Sequence, residues 1–185
     1  LQKIHYVNLY LKMKKKIIIT GGLGYVGTEL CKLYSGVSWN NQIIVIDNRF
    51  VSERVNQIRN WNMEFVHGDI LDKVLINKYC KDADVVHHLA GITNVPRTTS
   101  ESSTETDDKI KTVAKEGTQN ILDVISNKCK IIFPSTHVVF EGIEKIKNNI
   151  LEDEKLRPVL SYSTSKAINE KQLKNSGKNY VILRL

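Results

Sequence analysis

Residues 17–27, Ile17-Ile18-Ile19-Thr20-Gly21-Gly22-Leu23-Gly24-Tyr25-Val26-Gly27, decide the fold. Three β-branched apolar residues in a row have no polar face, so they read as a strand buried on both sides. Glycines follow at 21, 22, 24 and 27, and an apolar pattern of helical period begins at Tyr25–Val26. A strand, a tight glycine turn and a helix N-terminus together make an anion site. The first N–H groups of a helix lack internal partners, and its dipole is positive at that end. The spacing is G-x-x-G-x-x-G, through Gly21, Gly24 and Gly27. The first glycine permits the sharp exit from the strand, the second lets the backbone approach a pyrophosphate, and the third lets helix and strand pack closely. Short glycine motifs also serve as plain strand-to-helix joints, so the surroundings must decide.

Working outward, residues 43–46 form a second buried strand that finishes in Asp47, twenty residues beyond Gly27. A dinucleotide fold places a carboxylate there on the adenosine ribose hydroxyls. Such a carboxylate repels a 2′-phosphate, which favours NAD over NADP, and the nearby Arg49 softens that discrimination. Further apolar runs predict strands at 63–67, 84–91, 130–133 and 181–185. Helices are predicted at 25–36, 53–60, 72–79, from within 93–108 to about 127, and at 161–176 before Gly177. Residues 141–157 read as a charged, weakly structured loop. Strands of nearly continuous apolar character alternating with helices mean an α/β fold: a doubly wound, mostly parallel sheet of Rossmann type, helices on both faces.

The chain has 185 residues, 41% of them apolar, which suits one packed domain. Lys plus Arg number 27 against 20 Asp plus Glu, a net charge of +7. The excess is mostly lysine scattered over predicted helices and the N-terminus, with no arginine cluster interleaved with aromatics. It reads as a solvated surface, not a nucleic-acid interface. The three cysteines, Cys31, Cys80 and Cys129, are odd in number and set in apolar segments. They predict buried free thiols in a reducing, cytoplasmic compartment. His87 and His88 are adjacent, so a strand points them opposite ways and they make a poor chelating pair; no metal site is expected. No segment has the length of a membrane span. The first methionine, Met13, precedes Lys14-Lys15-Lys16, so residues 1–12 read as an artefactual extension or, alternatively, a short edge strand or arm, with the cofactor domain expected to span 13–185 and to stop inside its last strand.

The second constellation is Tyr162-Ser163-Thr164-Ser165-Lys166. On a helix the i,i+4 spacing puts Tyr162 and Lys166 on one face. A phenol near pKa 10 is a poor base at neutral pH, and a nearby ammonium is expected to favour the phenolate. Lys166 is also placed to bind ribose hydroxyls. A hydroxyl at the end of the strand at 130–133 would polarise the reacting group, and Ser135 and Thr136 both stand there.

These ordered motifs resemble the N-terminal part of the extended short-chain dehydrogenase/reductases, in particular the NAD-dependent epimerase/dehydratase family of nucleotide-sugar enzymes, over residues 15–185. The resemblance implies that Gly21, Gly24, Tyr25, Val26 and Gly27 hold the pyrophosphate end of NAD. It places Asp47 and Asn48 at the adenosine ribose, Asp69 and Ile70 at the adenine, and Leu89 and Ala90 beside the cofactor. Thr136, Tyr162 and Lys166 would be catalytic, with Tyr162 and Lys166 also touching the cofactor and Glu170 structural. It further implies a nucleotide-sugar substrate, a possible homodimer, and an epimerase cycle in which a hydride leaves a sugar carbon and returns to the keto intermediate. A net reductase or dehydrogenase acting on a nucleotide sugar or sterol-like substrate is the alternative enzyme; a non-catalytic dinucleotide-binding module is the alternative of another class. Four positions depart from the family. His137-Val138 stand where dehydratases carry Asp-Glu, Glu141 is an extra residue before Gly142, and Ala114 replaces an asparagine ahead of Gly117-Thr118. The family's C-terminal substrate domain is expected to be missing from this chain.

Overall fold

The computed structural model describes residues 14–93, 103–144 and 148–185. The expected extension at 1–12 lies outside them. Six strands, β1 (Lys16–Thr20), β2 (Gln42–Asp47), β3 (Glu64–His67), β4 (Val85–His88), β5 (Lys130–Ser135) and β6 (Asn179–Arg184), form one sheet of order β3-β2-β1-β4-β5-β6. Every neighbouring pair is parallel. Five helices connect them: α1 (Tyr25–Ser35), α2 (Ser52–Asn60), α3 (Lys73–Cys80), α4 (Thr104–Val124) and α5 (Ser161–Asn175). Short 3-10 turns occupy Ser38–Asn40 and His137–Phe140.

The strand pattern explains the layers. Successive side chains alternate across a sheet, so Ile17 and Ile19 pack on one face with Cys31 of α1 and Val55 and Ile58 of α2. Ile18 packs on the other with Ile76 of α3, Ile121 of α4 and Leu173 of α5. Both faces are therefore covered, which is why the central strands contain no polar alternation. The two histidines follow the same rule. His87 meets the Tyr34 hydroxyl at 2.8 Å on the α1 side, and His88 meets Thr118 of α4 at 2.9 Å on the other. All three cysteines are free and buried.

The order in which successive strands join the sheet reverses between β1 and β4, which makes their carboxyl ends the switch point of the sheet. There β1 turns out through Gly21, whose φ is +69°. A Cβ on Gly21 would stand 2.6 Å from Ala90 N, and one on Gly27 2.5 Å from Gly21 O. The turn is thus pressed onto the end of β4 by backbone alone.

Several boundaries differ from expectation. β4 stops at His88 and does not reach 91, because Leu89 N still bonds to Thr20 O at 3.1 Å but the chain then leaves the sheet. β6 starts at Asn179, two residues early, because an edge strand tolerates the exposed Asn179 and Tyr180. α4 ends at Val124, since Ile125 is already extended with ψ 146°.

Two substitutions separate these constraints. Gly21→Ala combines a positive φ with a backbone clash and is expected to cost about 2–4 kcal/mol. Gly36→Ala, where a Cβ meets nothing within 4 Å, is expected to be neutral or to stabilise by about 0.5 kcal/mol. Urea midpoints of the two variants against wild type provide the check, and equal effects would contradict the packing described.

Candidate active site

A cleft of about 1010 Å³ opens at the carboxyl ends of β1, β2 and β4. Every cofactor residue expected from the sequence, apart from Tyr162 and Lys166, lies in its wall: Gly21, Gly24, Tyr25, Val26, Gly27, Asp47, Asn48, Asp69, Ile70, Leu89 and Ala90. The N-terminus of α1 faces this space. No side chain among the described residues caps it, and its first turn carries no acidic residue, so its N–H groups and positive dipole end are open to an anion. At Gly24 a Cβ would meet Gly21 O at 3.1 Å, so a side chain there would fill the cradle. These features fit a pyrophosphate.

The β2 side of the cleft is tightly braced. Asp47 is buried; its Oδ2 accepts from Leu23 N at 2.9 Å and its Oδ1 from Arg49 N at 2.9 Å. Asn48 Nδ2 donates to Asp69 Oδ2 at 2.9 Å, while Asp69 Oδ1 accepts from Leu71 N at 2.9 Å. Ile70 directs its side chain under α4, where a Cβ on Gly117 would come within 2.2 Å of Ile70 Cδ1. Asn120 Nδ2 holds Ile70 O at 3.0 Å.

Thr136, Tyr162 and Lys166 lie outside this cleft wall. Lys166 and Tyr162 share α5 as expected, yet the Lys166 ammonium is turned onto β5. It donates to Pro134 O at 2.9 Å, sits 4.6 Å from the Phe133 ring centre and 5.8 Å from that of Tyr162. Burial pushes Lys166 down to about 8. Burial also raises the Tyr162 phenol above its ordinary 10.0, a shift opposite in sign to the one a nearby cation gives. The two hydroxyls at the end of β5 are now distinguishable. Ser135 donates to Glu170 Oε1 at 2.7 Å. Thr136 instead accepts from Val138 N at 3.3 Å, so its own hydroxyl proton is not used in that bond.

Three supports hold α5; Glu170 was expected to be structural, and the other two were not evident from the sequence. Glu170 is fully buried and is gripped by Arg184, whose Nε donates to Oε1 at 2.9 Å and Nη2 to Oε2 at 2.7 Å. Burial raises its carboxyl, but Arg184 and Ser135 hold it below the usual range. Glu141, the extra residue, accepts through one oxygen from Val159 N and Leu160 N, both at 2.7 Å, and from the Ser163 hydroxyl. It ties the segment that leads into α5, and the Ser163 hydroxyl of its first turn, to a separate loop. Asn169 donates to Ala114 O at 2.8 Å and to Thr118 Oγ1 at 2.7 Å. An amide reaches the Ala114 backbone from α5, and Thr118 passes the contact on to His88. For Glu141 and Asn169 the only sequence signals were an insertion and a missing asparagine.

Residues 18–182 match the 3-beta hydroxysteroid dehydrogenase/isomerase family. Among curated proteins the chain is similar to CDP-paratose 2-epimerase of Salmonella typhi, 35% identical over 74% of this chain and 41% of that protein. It is also similar to a bifunctional UDP-glucose and UDP-xylose 4-epimerase of Pisum sativum, 29% identical over 84% of this chain and 46% of that protein. The chain therefore spans under half the length of these relatives. Among solved structures, UDP-N-acetylglucosamine 4-epimerase from Methanobrevibacter ruminantium superposes with a TM-score of 0.74 at 27% identity, over 93% of this chain and 55% of that one. UDP-glucose 4-epimerase from Brucella ovis in complex with NAD gives 0.72 at 28%, over 92% and 51%. No described helix is long and apolar enough to cross a membrane.

Lys166 gives the site a measurable signature. An unfolded lysine holds its proton up to about 10.5, whereas the folded one releases it at about 8. The unfolded state binds more protons between those values, so stability rises with pH across that window, and below it the buried ammonium is a burden. Lys166→Met is expected to flatten the rise in urea midpoint between pH 8 and 10.5 and to be the more stable protein at neutral pH. Parallel profiles for the two proteins would contradict a buried ammonium.

Proposed function

The chain belongs to the 3-beta hydroxysteroid dehydrogenase/isomerase family, and on that premise we propose that residues 13–185 are the NAD-binding domain of an epimerase-type oxidoreductase acting on a nucleotide sugar. The observation that carries the reading is the glycine turn held against Ala90 with the uncapped N-terminus of α1 facing the cleft. Gly21, Gly24 and Gly27 hold the pyrophosphate, Asp47 and Asn48 the ribose, and Asp69 with the Ile70 backbone the adenine. NAD held there would supply reversible hydride-acceptor chemistry, which an epimerase cycle through a keto sugar requires.

The chain's own groups handle the proton. Tyr162 takes the proton of the reacting sugar hydroxyl and later returns it. Its phenol, raised by burial, needs a cation to work near neutrality, and Lys166 carries that charge four residues away. The lysine is kept buried with a depressed pKa, a cost typical of functional groups. Thr136 offers its hydroxyl proton to the same sugar oxygen. Dehydration is disfavoured: His137, in the place of a carboxylate, is tied through its N–H and Nδ1 to Leu185 O at 3.0 and 2.8 Å. The nucleotide-sugar substrate follows the similarity to epimerases of CDP- and UDP-sugars.

The family match itself supports a second reading, a net dehydrogenase of a hydroxysteroid-like alcohol. Stoichiometric appearance of NADH would select it, and NAD unchanged over turnover would select the epimerase. Tyr162→Phe tests the enzyme reading common to both. It is expected to lower sugar-dependent turnover by at least about 100-fold while dinucleotide affinity stays within about twofold of wild type. Undiminished turnover in the variant would overturn the role given to Tyr162.

A further inference from the structure

Asp47 is the carboxylate expected to exclude a 2′-phosphate, yet the structure shows it already committed. Its hidden oxygen, Oδ2, is spent on Leu23 N at 2.9 Å. Its outward oxygen, Oδ1, accepts from Arg49 N at 2.9 Å and has Arg49 Nε 3.4 Å away. The two side chains differ sharply in exposure, 4% for Asp47 and 59% for Arg49. The aspartate is fixed, and the cation paired with it faces solvent.

Arg49 also belongs to the cleft wall. Its Nη2 lies 3.7 Å from the point a Cβ of Gly24 would occupy. The guanidinium therefore stands between the end of β2 and the glycine turn, where the adenosine ribose of a dinucleotide falls. Only Nε is engaged with Asp47, and among the described residues the two terminal nitrogens hydrogen-bond to nothing else. A planar fork of donors suits a phosphate bidentately. A lone carboxylate at this point would repel an added phosphate; one paired with arginine presents no net charge to it.

We propose that Arg49 makes this cleft a site for the 2′-phosphorylated dinucleotide as well as for NAD, its guanidinium holding the ribose 2′-phosphate of NADP. This rests on the reading of the cleft as a dinucleotide site. Binding alone tests it: isothermal titration of the 185-residue chain with NAD and with NADP, in wild type, Arg49→Leu and Arg49→Lys. In wild type the two dissociation constants are expected to lie within about tenfold of each other. Arg49→Leu should weaken NADP by about tenfold or more and leave NAD within about twofold, and Arg49→Lys should restore most of the loss. Added salt should weaken NADP more than NAD. A ratio of constants that does not change in Arg49→Leu overturns the proposal, as does wild type that binds NAD but not NADP. Equal loss of both ligands in a folded Arg49→Leu also overturns it, because Arg49 would then be a general binder. If wild type binds neither dinucleotide, it is the cofactor reading of the cleft that falls.

Discussion

The backbone contact between Gly21 and Ala90 is the constraint on which the rest depends. β1 must leave the sheet abruptly at the switch point, and it does so with φ +69° and no room for a side chain against Ala90 N. That exit sets the position of Gly24 and the start of α1, and hence the open N–H groups that face the cleft. The other walls are then brought to it by parallel pairing: β2 delivers Asp47, and β4 delivers Leu89 and Ala90. Helix dipole, turn and carboxylate meet because each stands at the carboxyl end of a strand next to β1.

The two faces of the sheet do different work. The face under α1 and α2 is an apolar core at whose margin buried His87 meets the half-buried Tyr34. The face under α4 and α5 carries a connected polar network set within its apolar core. Ala90 N reaches Thr20 Oγ1, which meets His88 Nδ1 at 3.0 Å; His88 Nε2 meets Thr118, and Thr118 meets Asn169. Burial pushes His88 down to about 3, with Lys166 adding to the effect, so the imidazole is neutral and each nitrogen has a hydroxyl partner. The network runs from the cofactor cleft to the helix that bears Tyr162 and Lys166. Glu170 with Arg184 pins that helix to β5 and β6, and Glu141 pins its first turn to the loop after Thr136. A buried network stabilises a unique arrangement only when all its members are satisfied, and these are.

The sheet was legible in the sequence because a strand covered on both faces leaves a continuous apolar run, as at 17–19 and 43–46. Legibility failed where that cause was absent. β6 is an edge strand and carries Asn179 and Tyr180, so its start was read late. Leu89-Ala90 keep the apolar character of β4 after its pairing has ended, so that end was overrun. The cleft residues were readable because glycine spacing and a strand-end aspartate have local causes. Glu141 and Asn169 were not, since a carboxylate tying down the entry to α5 from another loop and an amide reaching Ala114 O arise only from tertiary contact. At the Tyr162 phenol, spacing reports the nearby ammonium but not the desolvation that acts against it.

The central claim is that one ligand spans the glycine turn and the tyrosine helix. A crystal structure of the chain grown with NAD tests it most directly. The account predicts pyrophosphate oxygens on the backbone N–H groups between Gly24 and Gly27, the adenosine ribose beside Asp47, and the nicotinamide end running past Ala90 toward Tyr162. A dinucleotide bound elsewhere, or turned with its nicotinamide at Asp47, would contradict it.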